Sequence, residues 1–343
     1  MNELLRPDDT RDALRKIGGL LFGIGILMVL LRKAVVPQAD PYGSGIQFIL
    51  WLIPAVLLYG ASVLPSENTG GRLRAWQTVY SVFGLIFVTG ALLQFVDMID
   101  EGASGNALNV TWIFLVVAAF AFYAGVVRGI RFQILFGGIA LIIAWSALWD
   151  KLLGDEGIGG HIGVYRGLLG ILSIGMLAGA LYLWRTNQGG DNRADSALEP
   201  AGDLGLWKAS EMFTAAGITA VLACSLGIAS IQALNPLAAE QVAPIATSWF
   251  WDILLLGISL GLVGIGAQIG VRGPVYVGAI GLLLFLLIAG FDLDEGDEAD
   301  PANFGLWPIV LLVFGGLGIL LSGVKEASLG DRPRQLIQNL RKG

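Results

Sequence analysis

Asp252 is the residue whose type and setting most suggest chemistry. It follows Trp249-Phe250-Trp251 and precedes a long apolar run, which puts it at or just below a membrane interface. An ionisable group held in a membrane helix is costly, so it marks a functional site by default. The structural alternative is a helix start, where a carboxylate suits the positive end of the helix dipole. Glu211, near the start of another apolar run, is a weaker instance of the same kind.

Ser104 and His161 form a second pair of interest. Gly102-Ala103-Ser104-Gly105 resembles the Gly-x-Ser-Gly motif of the rhomboid intramembrane serine proteases. In that family the serine and histidine come from the fourth and sixth helices of a six-helix core. Here Ser104 lies just before the fourth apolar run, and His161, the only histidine, just before the sixth. The resemblance implies an intramembrane serine hydrolase, with His161 taking the proton of Ser104. The flanking residues favour a surface turn instead. Ser104 sits in the polar stretch Asp100-Glu101-Gly102-Ala103-Ser104-Gly105-Asn106, and His161 in a glycine-rich run.

Carboxylates crowd a third segment: Asp292, Asp294, Glu295, Asp297, Glu298 and Asp300. That density of oxygen ligands could hold Ca²⁺. The spacing does not match an EF-hand loop, and a solvated acidic loop is the competing reading. Gly257-Ile258-Ser259-Leu260-Gly261 matches the Gly-x-Ser-x-Gly nucleophile pattern, which works as a strained strand-to-helix turn. Inside an apolar helix it reads as a packing face of small residues one turn apart. Gly19/Gly23, Gly175/Gly179 and Gly266/Gly270 repeat that spacing. Gln94, Gln133, Gln232 and Gln268 are expected to make interhelical hydrogen bonds. A single histidine excludes a histidine-rich metal site, and the lone Cys224 excludes an intramolecular disulfide. Neither a Walker A loop, a dinucleotide fingerprint, a zinc spacing nor a basic stripe is present, so no cofactor and no nucleic acid is expected.

The elements that must carry these residues are membrane helices. The 343-residue chain is 55% hydrophobic and 14% charged, against about a quarter charged in a globular domain. Most of it therefore cannot face water. A span of hydrocarbon takes roughly 20 apolar residues. Ten runs qualify: Ile17–Val35, Gly45–Leu64, Trp76–Phe95, Asn109–Val127, Phe132–Trp149, Arg166–Trp184, Ser210–Ala233, Ser248–Ile269, Val275–Phe291 and Phe304–Val324. Trp76, Trp112, Trp149, Trp184, Trp207, Trp249, Trp251 and Trp307 fall near their ends, as an aromatic belt requires.

Loop charge orients the spans. With ten helices both termini share one side, and that side collects 17 of the 21 Lys and Arg residues. The other side holds Arg32, Lys33, Lys151 and Arg166. Basic residues gather on the cytoplasmic side, so both termini are expected there. The first run ends in Arg32-Lys33 without a small-residue cleavage site, so it reads as a helix rather than a signal peptide.

The organisation expected is an N-terminal membrane unit over 1–185 with helices one to six, and a flexible cytoplasmic linker over 186–209. A C-terminal membrane unit follows over 210–324 with helices seven to ten, then a basic tail over 325–343. The triplet Val127-Arg128-Gly129 joins helices four and five, and Val271-Arg272-Gly273 joins eight and nine. Helices three to six would then match seven to ten as a parallel repeat. The competing reading is that tight cytoplasmic turns favour Arg and Gly in any case.

The first half also resembles the DUF2157-type class of multi-pass bacterial membrane proteins of unknown function. The similar stretches are Ile17-Gly18-Gly19-Leu20-Leu21-Phe22-Gly23-Ile24-Gly25-Ile26-Leu27, Trp76 leading into Gly84 to Gln94, Trp112, and the Arg128/Arg131 turn. The resemblance implies a bacterial inner membrane and no particular activity. The expected architecture is thus an all-α polytopic bundle, its partners the lipid bilayer with a small solute or a protein. The expected role is non-enzymatic, as a transporter-like protein or a scaffold. The alternatives are an intramembrane serine hydrolase using Ser104 and His161, and a regulatory or structural subunit of a membrane complex.

Overall fold

The computed structural model describes residues 7–35, 44–64, 75–154, 161–188, 202–226 and 249–291. The acidic run from Asp292 to Asp300, the expected helix over 304–324 and the basic tail lie outside the described residues. Gln232 and most of the expected linker do too.

Among the described residues the chain is helical, with no strand. Nine α-helices follow in order: α1 Pro7–Val35, α2 Ser44–Val63, α3 Ala75–Ile99, α4 Ala107–Phe122, α5 Gln133–Leu153, α6 Ile162–Gln188, α7 Gly202–Ser225, α8 Trp249–Ile269 and α9 Arg272–Phe291. Each overlaps one of the first nine apolar runs, and residues 227–233 of the seventh run lie outside the described residues. Two helices begin well ahead of their runs. α1 begins ten residues before its apolar run, with Pro7 in first place and Asp8 and Asp9 behind it, a favoured helix start. Its 29 residues span about 43 Å at about 1.5 Å each, more than the roughly 30 Å of hydrocarbon. α7 likewise begins at Gly202, ahead of Ser210. A hydropathy window sees only the part that suits lipid, whereas helical hydrogen bonding continues into the interface.

Six helices, α2 to α6 and α8, are long and apolar enough to cross a membrane. Their outward faces carry large apolar side chains such as Ile53, Leu57, Ile171, Ile174 and Ile253. Patches of that kind suit lipid rather than water.

The described residues as far as Leu282 belong to one compact unit; Leu283 opens a second, whose described part is the helical stretch 283–291. Within the first unit, glycines bring helices together as small residues do in membranes. A Cβ on Gly84 would lie 2.7 Å from the backbone nitrogen of Tyr59, so α2 and α3 touch backbone to backbone there. Gly19 and Gly23 of α1 receive the rings of Tyr80 and Phe83, which bears out that pair as a packing face. Gly266 packs on Val275, and Gly179 on Met212. Gly257, Gly261 and Gly175 differ from expectation: a Cβ on any of them would meet nothing within 4 Å. The expected packing face on α8 is open among the described residues.

Interhelical hydrogen bonds reinforce the packing. Tyr59 Oη donates to the Phe120 carbonyl at 2.8 Å, and Ser173 Oγ to that of Ala216 at 2.9 Å. Trp145 Nε1 donates to the Leu168 carbonyl at 3.1 Å. Gln133 departs from the expected pattern. It is fully buried, yet neither atom of its side-chain amide has a hydrogen-bond partner.

The two Val-Arg-Gly triplets occupy different places in their turns. α4 ends in a π-turn, Tyr123–Val127, and Gly129 then takes the left-handed φ of 71°. In the second turn Gly270 takes that conformation, with φ of 77°, and Arg272 is already the first residue of α9. Arg128 therefore ends a helix and Arg272 begins one, so the shared triplet does not align the two halves.

Candidate functional site

Side-chain contacts bring the end of α5, the start of α6, the end of α7 and the start of α8 together. Asp252 is the fourth residue of α8, in its first turn, where the helix dipole favours a carboxylate. It is only 7% exposed. The structure brings it beside Arg166, the fifth residue of α6, which is also 7% exposed. The Arg166 guanidinium lies over the Trp251 ring, 4.8 Å from its centroid. Cys224, buried at the end of α7, completes the surroundings.

Neither charge is cheap to hold there. Each buried ion loses several kcal/mol of hydration, and the partner's attraction offsets that only with good geometry and full hydrogen bonding. The Arg166 hydrogen bonding is incomplete, since its buried Nε–H has no acceptor. Stacking on Trp251 adds a cation–π attraction of about 2 kcal/mol when desolvated, but leaves that in-plane donor unmet.

The next residue back, Tyr165, links this pair to a surface cleft. Tyr165 is 1% exposed and donates its hydroxyl to Asp150 Oδ1 at 3.3 Å. Asp150 also lines a cleft of about 710 Å³ together with Asp100, Glu101, Asn106, Asn109 and Lys151. One carboxylate thus faces the cleft and holds the residue next to Arg166.

Ser104 follows Gly102 and Ala103, which also line that cleft. It lies in a 3₁₀ turn, Ala103–Gly105, entered through Gly102 at φ 81°. The Ser104 backbone N–H donates to Asp97 Oδ1 at 2.8 Å, and Asn109 Nδ2 to the Ala103 carbonyl at 2.9 Å. Asn106 caps α4 by accepting from the Leu108 N–H at 3.1 Å. Side-chain caps therefore build this segment as a turn, in line with its polar composition. His161 sits just ahead of α6, its carbonyl accepting from the amides of Val164 at 2.9 Å and Tyr165 at 3.1 Å. Those two bonds start the helix that carries Arg166. Among the described residues no group of three or more His, Cys, Asp or Glu side chains is placed to hold a metal ion.

A second polar cluster occupies the opposite end of α7. Glu211 and Lys208, one turn apart, both reach the α4–α5 turn. The Glu211 carboxylate accepts from the backbone N–H groups of Phe132 and Ile134, the latter at 3.2 Å. These are amides at the start of α5, so a side chain from another helix supplies its N-cap. Lys208 Nζ donates to the Val126 carbonyl at 2.9 Å, at the end of the π-turn. Acid on a helix start and base on a helix end both match the macrodipole. Burial pushes the Lys208 ammonium below the usual lysine range. Phe132, held at φ 66°, is the one non-glycine residue in the left-handed region among the described residues. This cluster has a complete structural explanation, which answers the question Glu211 raised in the sequence.

Arg166 is the residue that sequence reasoning missed. It counted there only as a loop charge on the sparsely basic side. The available signal was its place, a lone arginine at the head of an apolar run, close to where Asp252 heads another.

No protein-family model matches the chain, and neither a curated protein nor a solved structure does.

Proposed function

We propose that the chain is a non-enzymatic, transporter-like protein of a bacterial inner membrane, and that Arg166 and Asp252 form its solute site. The observation that carries the reading is the buried Arg166–Asp252 pair, which sits among apolar helices with one guanidinium donor unmet. Charged groups kept in membrane helices generally serve a substrate or ion path. Asp150, which lines a polar cleft, is bonded to Tyr165, the neighbour of Arg166. The 17-to-4 split of basic residues supports cytoplasmic termini and a tenth span over 304–324, which puts the Asp252 end outside the cell. The resemblance of helices one to five to DUF2157-type proteins supports the bacterial membrane.

Uptake into cells or proteoliposomes tests the site. Across a panel of small solutes, Asp252→Asn should abolish whatever uptake the native chain supports. Unchanged uptake together with unchanged stability would remove Asp252 as a solute residue.

A second reading, a scaffold for a helical partner, draws on the open glycine face of Gly257 and Gly261 on α8. Co-purification of one stoichiometric membrane protein, lost on Gly261→Leu, would favour it.

A further inference from the structure

Taking the solute site as proposed above, we infer that the Arg166–Asp252 pair receives a small zwitterion, a molecule carrying a carboxylate or phosphate together with a primary ammonium. Charge balance is the first ground. The buried layer holds one guanidinium and one carboxylate side by side. A lone anion drawn to Arg166 would add a second negative charge next to Asp252, and a lone cation drawn to Asp252 a second positive charge next to Arg166. In a low-dielectric layer either arrangement is strongly disfavoured. A zwitterion adds no net charge, and each of its ends meets an opposite partner.

Hydrogen bonding is the second ground. Arg166 is more than nine-tenths buried, and its Nε–H has no acceptor. Trp251 covers a face of the guanidinium, so its in-plane edge is what remains for a ligand. A carboxylate or phosphate oxygen pair matches that edge in the two-pronged way that arginine favours. The ammonium of the same molecule would then donate to Asp252. Asp150, the neighbouring carboxylate, is already engaged by Tyr165. Both charges are closed off in this conformation, so the zwitterion inserts between them as they part. The required chemistry occurs both in free α-amino acids and in the phosphoethanolamine headgroup of lipids.

Thermal unfolding of the full chain in detergent tests this with four probes: L-alanine, propionate, isopropylamine and glycerophosphoethanolamine, whose phosphodiester carries a single negative charge. The two zwitterions carry both charges, while propionate and isopropylamine carry one each. A zwitterion should raise the midpoint by about 2 °C for each tenfold increase above its dissociation constant. The single-charge probes should leave it unmoved. A response to L-alanine identifies a free solute, and a response to glycerophosphoethanolamine alone a headgroup. Arg166→Lys keeps the charge but loses the fork, and should weaken the response at least tenfold. Propionate or isopropylamine acting as strongly as L-alanine would overturn the zwitterion and leave a solute site intact. Silence of both zwitterions in a chain whose uptake depends on Asp252 would also refute it. Silence combined with uptake indifferent to Asp252→Asn would sink the site altogether.

Discussion

Removing the Glu211 carboxylate should loosen the junction between α4, α5 and α7 by an amount that follows from its bonds. In the native chain it accepts from the Phe132 and Ile134 amides. A neutral N-cap contributes about 1 kcal/mol. Glu211→Ala removes that cap and leaves two amides at the start of α5 without their acceptor, at about 1–2 kcal/mol each, so a loss of about 2–4 kcal/mol is expected. Glu211→Gln keeps one acceptor oxygen and should lose about half of that. Lys208→Met removes a single exposed bond to Val126 and should cost under about 1 kcal/mol. The assay is reversible unfolding by SDS in mixed micelles, followed by far-ultraviolet circular dichroism. A loss below about 0.5 kcal/mol for Glu211→Ala would refute the cap.

Three further outcomes are expected. Gly84→Ala should destabilise the α2–α3 pair by about 1–3 kcal/mol in the same assay, because its Cβ would press on the Tyr59 backbone rather than on a side chain that can turn away. Cys224, 2% exposed, should resist a maleimide in the folded micelle and react in excess SDS; fast labelling of the folded chain would mean that the end of α7 is open. A fluorophosphonate probe should leave Ser104 unlabelled, since the turn that holds it is built by Asp97, Asn106 and Asn109 as a cap; labelling that depends on His161 would contradict a non-enzymatic role.

The helices were legible because lipid imposes one rule on a long run of residues. Any stretch of roughly 20 apolar positions is visible without knowing its neighbours. Their polar ends were less so: α1 and α7 begin ahead of their apolar runs, in residues that a hydropathy window does not register. Pairwise contacts were the hardest to foresee. Gly19 and Gly261 share a spacing, but only Gly19 meets a ring, and spacing says nothing about what stands opposite. The Val-Arg-Gly triplets look equivalent in sequence and sit on opposite sides of their turns, because the left-handed residue is Gly129 in one and Gly270 in the other. Of the candidate site, Asp252 was visible as a charge entering an apolar run. Arg166 was not, because its partner lies 86 positions along the chain and only the fold brings α6 to α8.

The central claim is that the Arg166–Asp252 pair is kept for a solute and not for the fold. Breaking a buried ion pair costs about 3–5 kcal/mol, whereas replacing both partners with apolar residues is often neutral or stabilising. The deciding measurement sets the double variant R166M/D252L beside Arg166→Met and Asp252→Leu, with unfolding and proteoliposome uptake read on the same preparations. The account predicts that each single variant is strongly destabilised, while the double variant folds about as well as the native chain and takes up nothing. A double variant that folds and still transports would contradict it.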